Sequence, residues 1–311
     1  MNKNKYLTFS ALILLLILFI SLAFGSINIF SESISTDTLV KILKIRAAHV
    51  TLVICIGGLL ALSGTILQAL LKNSLADPYI LGTSSASALG AMLAISLDLD
   101  KEIFFLLPFV CAMLNVLVLL KFSLEKTIEQ VILIGIAISA MLNSVIIFGL
   151  NILPPIKSKN LYFWLIGDIS TTCLNIFPLI ILILGTIISF ILSRELNMLS
   201  MGENKAIGLG VDIKKLRFIS LTLTALLTAT AVSYAGSLGF IGLIVPHFLR
   251  ILNINTYEYL IPLSVIVGAI FLLSADILSR TILAPMLIPT GAVTAIIGAP
   301  IFLYLLSRSN K

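Results

Sequence analysis

Charge is scarce in this chain. Of its 311 residues only 11% are Asp, Glu, Lys or Arg, where soluble domains carry roughly a quarter. A surface built from so few charges cannot face water on all sides, so a wholly water-exposed globule is excluded. Histidine is nearly missing: His49 and His247 stand far apart. No HExxH and no close His/Cys/Asp cluster occurs, so neither a metal centre nor a catalytic constellation is expected. The three cysteines, Cys55, Cys111 and Cys173, form no CxxC pair and read as small packing residues. GxxxxGK[ST] is also absent, which leaves no P-loop for ATP. The net charge of +6 is spread between apolar runs rather than gathered in one patch, so it reads as a topology signal and not as a nucleic-acid footprint.

Long apolar runs are abundant. Hydrophobic residues make up 59% of the chain and the mean hydropathy is +1.16. Runs such as Leu12 to Ile20 and Leu179 to Leu192 are continuously apolar, which favours helices over the alternating strands of a membrane barrel. A span needs about 20 residues to cross ~30 Å of hydrocarbon. On that measure the chain reads as an all-α polytopic membrane protein, one domain over 1–311. About ten spans are expected, near 7–29, 48–70, 79–97, 103–120, 129–150, 174–193, 216–234, 238–253, 259–277 and 290–306. Lys3 and Lys5 precede a run too long for a signal-peptide core, so the first of these is read as retained. With both termini in the cytoplasm, 13 of the 20 Lys and Arg residues fall on the inner side, as the positive-inside rule requires.

Three connections are more than turns. Residues 31–46 are expected outside as a short amphipathic helix in the membrane interface, with Ser35 as N-cap and Leu39, Ile42 and Leu43 on one face. Residues 151–172 are expected as an outer loop, with Trp164 as an interfacial anchor. The cytoplasmic stretch 194–213 has Ser200 and Glu203 at capping-box spacing, predicting a helix from Met201 to about Leu209 that Gly208 and Gly210 stop. Leu199, Met201, Ile207 and Leu209 would project from it as apolar knobs, which suits either a partner's groove or the ends of the chain's own helices.

Polar residues inside spans are candidate path or packing groups. Ser139 and Asn143 lie four apart and share a face of the fifth span, which could line a path or hydrogen-bond a neighbour. Gln68, Asn73 and Asp77 read as turn and capping chemistry beside a stretch dense in Gly, Ser and Ala. Gly236, Gly239 and Gly242 recur as a flat strip before Pro246, where a kink or helix end is expected, and His247 reads as a hydrogen-bonded structural residue. Asp276 and Arg280 can pair at i, i+4.

Taken in order, LQALLKNSLADPYILGTSSASALGA, LNMLSMGENKAIGLGVDIKKLR, GSLGFIGLIVPHFLR and IPTGAVTAIIGAPIFLYLL resemble the signatures of FecCD-type permeases, from about residue 40 to the C-terminus. These are the membrane subunits of ABC importers for ferric siderophores, haem and cobalamin in the bacterial cytoplasmic membrane. The resemblance implies a ten-helix protomer acting as a homodimer, without cofactor, metal or ATPase activity of its own. A separate ABC ATPase would sit on the cytoplasmic side, and a substrate-binding protein would dock outside.

It also implies roles for single residues. Ser139, Asn143 and Ser144 would line the path. Leu199, Met201, Gly202, Glu203, Ala206, Gly208, Leu209 and Gly210 would form the ATPase-coupling segment, about 195–213. Arg46, His49 and Arg280 would meet the binding protein. Two positions depart from the family pattern: His49 stands where a second arginine is usual, and Ser74 where proline is usual. Ferric siderophore is the expected cargo, with haem or cobalamin as alternatives. An ion-gradient transporter is the rival reading, for which Asp276 would be the main acidic candidate.

Overall fold

The computed structural model describes residues 3–25, 36–100, 103–123, 126–169, 175–284 and 286–309, and every regular element among them is helical. Cys173 and Ser35 lie outside the described residues. The helices are α1 Lys3–Ala23, α2 Thr36–Leu71, α3 Thr83–Ser96, α4 Leu106–Ser123, α5 Ile128–Ile152, α6 Pro155–Ile166, α7 Phe177–Ile191, α8 Ser193–Ser200, α9 Glu203–Gly208, α10 Ile213–Ala235, α11 Ile241–Ile251, α12 Tyr257–Thr281 and α13 Thr290–Ser309. Each of the ten expected spans meets a helix. Six of these, α1, α2, α5, α10, α12 and α13, are long and apolar enough to cross a membrane, and α7 with α8 makes a seventh, bent by 55°. The rest are the shorter apolar helices α3, α4 and α11.

The centre of the fold is α2, which packs against α12, α10, α11, α7 and α1. Small residues let its neighbours approach. A Cβ added to Gly64 would lie 1.8 Å from the Gly242 carbonyl oxygen of α11, so only glycine fits there. Buried hydroxyls are bonded across the same contacts. Ser63 Oγ lies 2.6 Å from Thr228 Oγ1 of α10, and Thr65 Oγ1 donates to Ser264 Oγ of α12 at 2.8 Å.

Several expectations are corrected. The separate interfacial helix at 31–46 does not exist as such over its described part: residues from Thr36 run unbroken into the span as α2. No Gly or Pro interrupts 36–56, so nothing stops the helix. At 36 residues α2 is about 54 Å long, more than the hydrocarbon thickness, so it tilts or projects. The outer loop at 151–172 contains α6, opened by Pro154 and Pro155, with proline favourable at the first helical position. Trp164 of α6 packs partly against a small cluster of Ala88, Ala91, Met92, Ile146 and Leu161.

Pro246 neither ends nor splits α11. It removes the N–H that would have bonded the Gly242 carbonyl, and Gln68 Nε2 of α2 donates there instead at 3.3 Å, and to Leu243 O at 3.2 Å. Of the expected glycine strip, Gly236 and Gly242 are tightly packed, while Gly239 faces open space. His247 is buried, with no hydrogen bond to either ring nitrogen among the described residues.

Candidate transport site

Three places in this framework collect the candidate residues. The first is α5, which begins where Gln130 Oε1 accepts the Thr127 amide at 3.2 Å. One side of α5 contacts α3, α4, α6 and the short 3-10 turn at Pro78–Leu81. Ser139 lies toward that side: its hydroxyl donates to Gly135 O at 2.9 Å and closely faces Gly82 at the start of α3. Asn143 and Ser144 are exposed. Ser144 Oγ bonds back to Ala140 O at 3.0 Å, while the Asn143 amide has no partner among the described residues. An unpaired amide amid Ile136, Met141 and Ile147 is unfavourable against lipid. It is better accommodated by water or by another polypeptide.

The second place is the bend after α7. Asn197 of α8 fastens it to the start of α12: Nδ2 donates to both Glu258 carboxylate oxygens at 2.9 Å, and Oδ1 accepts the Tyr257 amide at 3.0 Å. The predicted capping box is not formed. Ser200 Oγ instead donates to Asn197 O at 2.6 Å, and α9 starts at Glu203 after Gly202, whose φ of 118° is strained for any other residue. The α9 end is closed by Gly210 N to Ile207 O at 2.9 Å and Val211 N to Ala206 O at 3.0 Å.

Leu199 and Ala206 are buried, so the expected knob at Leu199 is a core residue. Met201, Ile207 and Leu209 are 63%, 57% and 59% exposed, and Gly208 has open space beside it. Apolar side chains this exposed on and beside a short helix form a surface suited to being covered.

The third place joins α1, α2 and α12. Asp276, 1% exposed, lies 2.9 Å from His49 Nε2 and 2.7 Å from Arg280 Nη2. Arg280 Nη2 also donates to Ser21 Oγ at 2.8 Å. Arg46 Nη1 donates to Leu22 O and Ala23 O at 2.8 and 3.0 Å, placing a cation on the carbonyl end of α1. The i, i+4 pairing of Asp276 with Arg280 is therefore present, with His49 as an additional member. In this conformation all three basic residues hold helices of the chain together.

This combination of an α2-centred helical core, an exposed α9 and an open α5 coincides with a family assignment. A model of the FecCD transport family matches residues 10–308. The chain belongs to the FecCD transport family. This permease is 34% identical to the hemin transport system permease protein HmuU of Yersinia pestis, over 96% of this chain and 95% of that one. It is 35% identical to the Fe(3+)-citrate import system permease protein YfmE of Bacillus subtilis, over 95% and 92% respectively. Its fold superposes on a metal-chelate type ABC transporter solved in an inward-facing conformation, with a TM-score of 0.91, 31% identity and coverage of 98% and 99%. The permease is thus a multi-pass membrane subunit of the ABC type.

Sequence reasoning missed the Asn197–Glu258 tie, the Gln68 donor to the proline-freed carbonyl and helix α6 itself. Pro246 was the one visible signal, because a proline within a helix leaves a carbonyl in need of another donor.

Proposed function

We propose that the permease imports an iron chelate, with ferric siderophore as cargo, in the bacterial cytoplasmic membrane. Two copies meet across α5, with Asn143 and Ser144 facing the path between them and Ser139 at its margin. Both termini are cytoplasmic. A separate ABC ATPase covers Met201, Ile207 and Leu209, and its closure on ATP moves the segment that includes Leu199, Gly202, Glu203, Ala206, Gly208 and Gly210. An external binding protein delivers cargo at Arg46, His49 and Arg280. Its carboxylates compete there with Asp276 and the α1 carbonyls for the basic groups, with charge steering the approach.

The observation that carries the reading is the exposed apolar set Met201, Ile207 and Leu209, on and beside α9, in a chain of this family. The hemin and ferric-citrate permeases among its relatives support an iron complex as cargo. An ion-gradient transporter is disfavoured because Asp276 is already bonded by His49 and Arg280.

The test is uptake of labelled ferric siderophore, haem and cobalamin in cells deleted for this chain and then complemented. Loss and rescue of siderophore uptake is expected. Loss and rescue of haem or cobalamin instead would change the cargo and keep the class. Unaltered uptake of all three, in a background lacking redundant importers, would sink the cargo assignment. Leu209→Asp should abolish co-purification of the ATPase while leaving the permease folded, and retained co-purification would remove α9 as the contact.

A further inference from the structure

Arg217 lies in the second turn of α10, just beyond the coupling segment at about 195–213. Its side chain is 19% exposed, and it stands at a junction of three elements. Nη2 is 3.7 Å from Glu203 Oε1, at the first position of α9. Nη1 donates to Lys126 O at 3.5 Å, in the turn that leads into α5. Both contacts are long for charged hydrogen bonds, which normally close to about 2.7–2.9 Å. The Nε atom is buried with no partner among the described residues. Beside the guanidinium is a cavity of about 100 Å³, lined by Leu71, Lys72, Glu129, Leu199 and Glu203. Glu129 belongs to the first turn of α5. The junction is therefore loosely closed: one cation reaches both α9 and the base of α5, with space beside it and a donor unused.

We propose that Arg217 is a positioning residue that relays movement of α9 to α5. The inference rests on the coupling role given above to α9. Force applied to α9 displaces Glu203. Arg217, fixed on the long, well-buried α10, follows the carboxylate and draws on the Lys126 carbonyl at the root of α5. The cavity lets the guanidinium shift without rearranging a packed core, and the unused Nε–H can take up a new acceptor as the junction tightens. A relay of this kind needs the planar fork of arginine to hold two elements at once, and a lysine point charge holds them less well.

The experiment uses the complete transporter, permease with its co-purified ATPase, in lipid nanodiscs. Native cysteines are replaced by serine and a spin label is attached through Ser144→Cys, so that each copy carries one label. Distances between the labels are measured before and after trapping with ATP, Mg²⁺ and vanadate. The parent should show a nucleotide-driven shift. Arg217→Ala and Arg217→Gln should keep the ATPase bound and reduce the shifted population by about fivefold, and Arg217→Lys should restore part of it. Glu203→Ala should do little further in the Arg217→Ala background, because the two act in series.

A full shift in assembled Arg217→Ala overturns the relay and leaves the coupling role of α9 intact. No shift in the parent overturns that coupling role and the relay with it. Loss of the ATPase from all three Arg217 variants also overturns the relay, since Arg217 would then be a docking group.

Discussion

Helices α2 and α5 look alike as strings of residues and end in opposite surroundings. Their apolar windows have mean hydropathies of 2.3 and 2.5, yet 89% of the α2 window is buried and only 17% of the α5 window. Both would be read as spans, correctly. What separates them is the distribution of small and polar residues. In α2, Gly57, Gly58, Ala61, Ser63, Gly64 and Thr65 allow close approach on several sides and bond to α10 and α12. In α5, bulky apolar side chains occupy most of the outward surface, and Gly135, Ser139 and Gly149 admit close neighbours on the packed side. Hydropathy measures transfer into an apolar medium, and it is blind to whether that medium is lipid or protein.

Substitutions can break or sharpen this contrast. The largest effect is expected at the Asp276 anchor of α2. Asp276→Ala leaves His49 and Arg280 without their carboxylate and should destabilise the permease by about 3–5 kcal/mol, read as loss of folded protein in a denaturant titration of the solubilised chain. Next comes Gly64→Ala, whose Cβ would meet Gly242 backbone. Overpacking of about 3 kcal/mol should lower the thermal midpoint clearly, whereas Gly208→Ala, in open space on α9, should not lower it.

Gln68→Leu is expected to follow at about 1–3 kcal/mol. It removes the donor to Gly242 O together with the Arg250 hydrogen bond to Gln68 Oε1. Smallest in stability is Asn143→Leu on the open face of α5, within about 0.5 kcal/mol of the parent. Its effect should appear in transport, as slower uptake by a normally folded protein. A large loss of stability from Asn143→Leu would mean that α5 is packed like α2, and the contrast would fail.

The same division applies to the segment around α9 and to the basic residues around Asp276. The segment around α9 was legible as a short helix outside the spans because glycines bound it and polar residues surround it. Which of its apolar residues face outward was not: Leu199 and Leu209 differ little in sequence terms, yet one touches the core and the other does not. The reason is the 55° bend after α7, which turns α8 back against α12 through Asn197 and Glu258. Glu258 is 61 residues away in the chain, beyond the reach of any local pattern. Arg46, His49 and Arg280 were grouped by the family resemblance, but their place in an internal bond network was not legible. That network depends on α1 and α12 both lying against α2.

By itself the sequence determined what acts locally along the chain. Low charge and long apolar runs require membrane helices, proline and glycine set limits such as the end of α5, both ends of α6 and the start of α9, and four separate motifs in order point to the family. Only the tertiary structure decided what depends on neighbours: that α2 is enclosed while α5 is open, that Gln68 replaces the donor missing at Pro246, and that Arg217 stands between α9 and α5. Periodicity and propensity act over one or two turns of helix. Burial, pairing and coverage are properties of residues far apart in the chain, and they arise once the helices have chosen their neighbours.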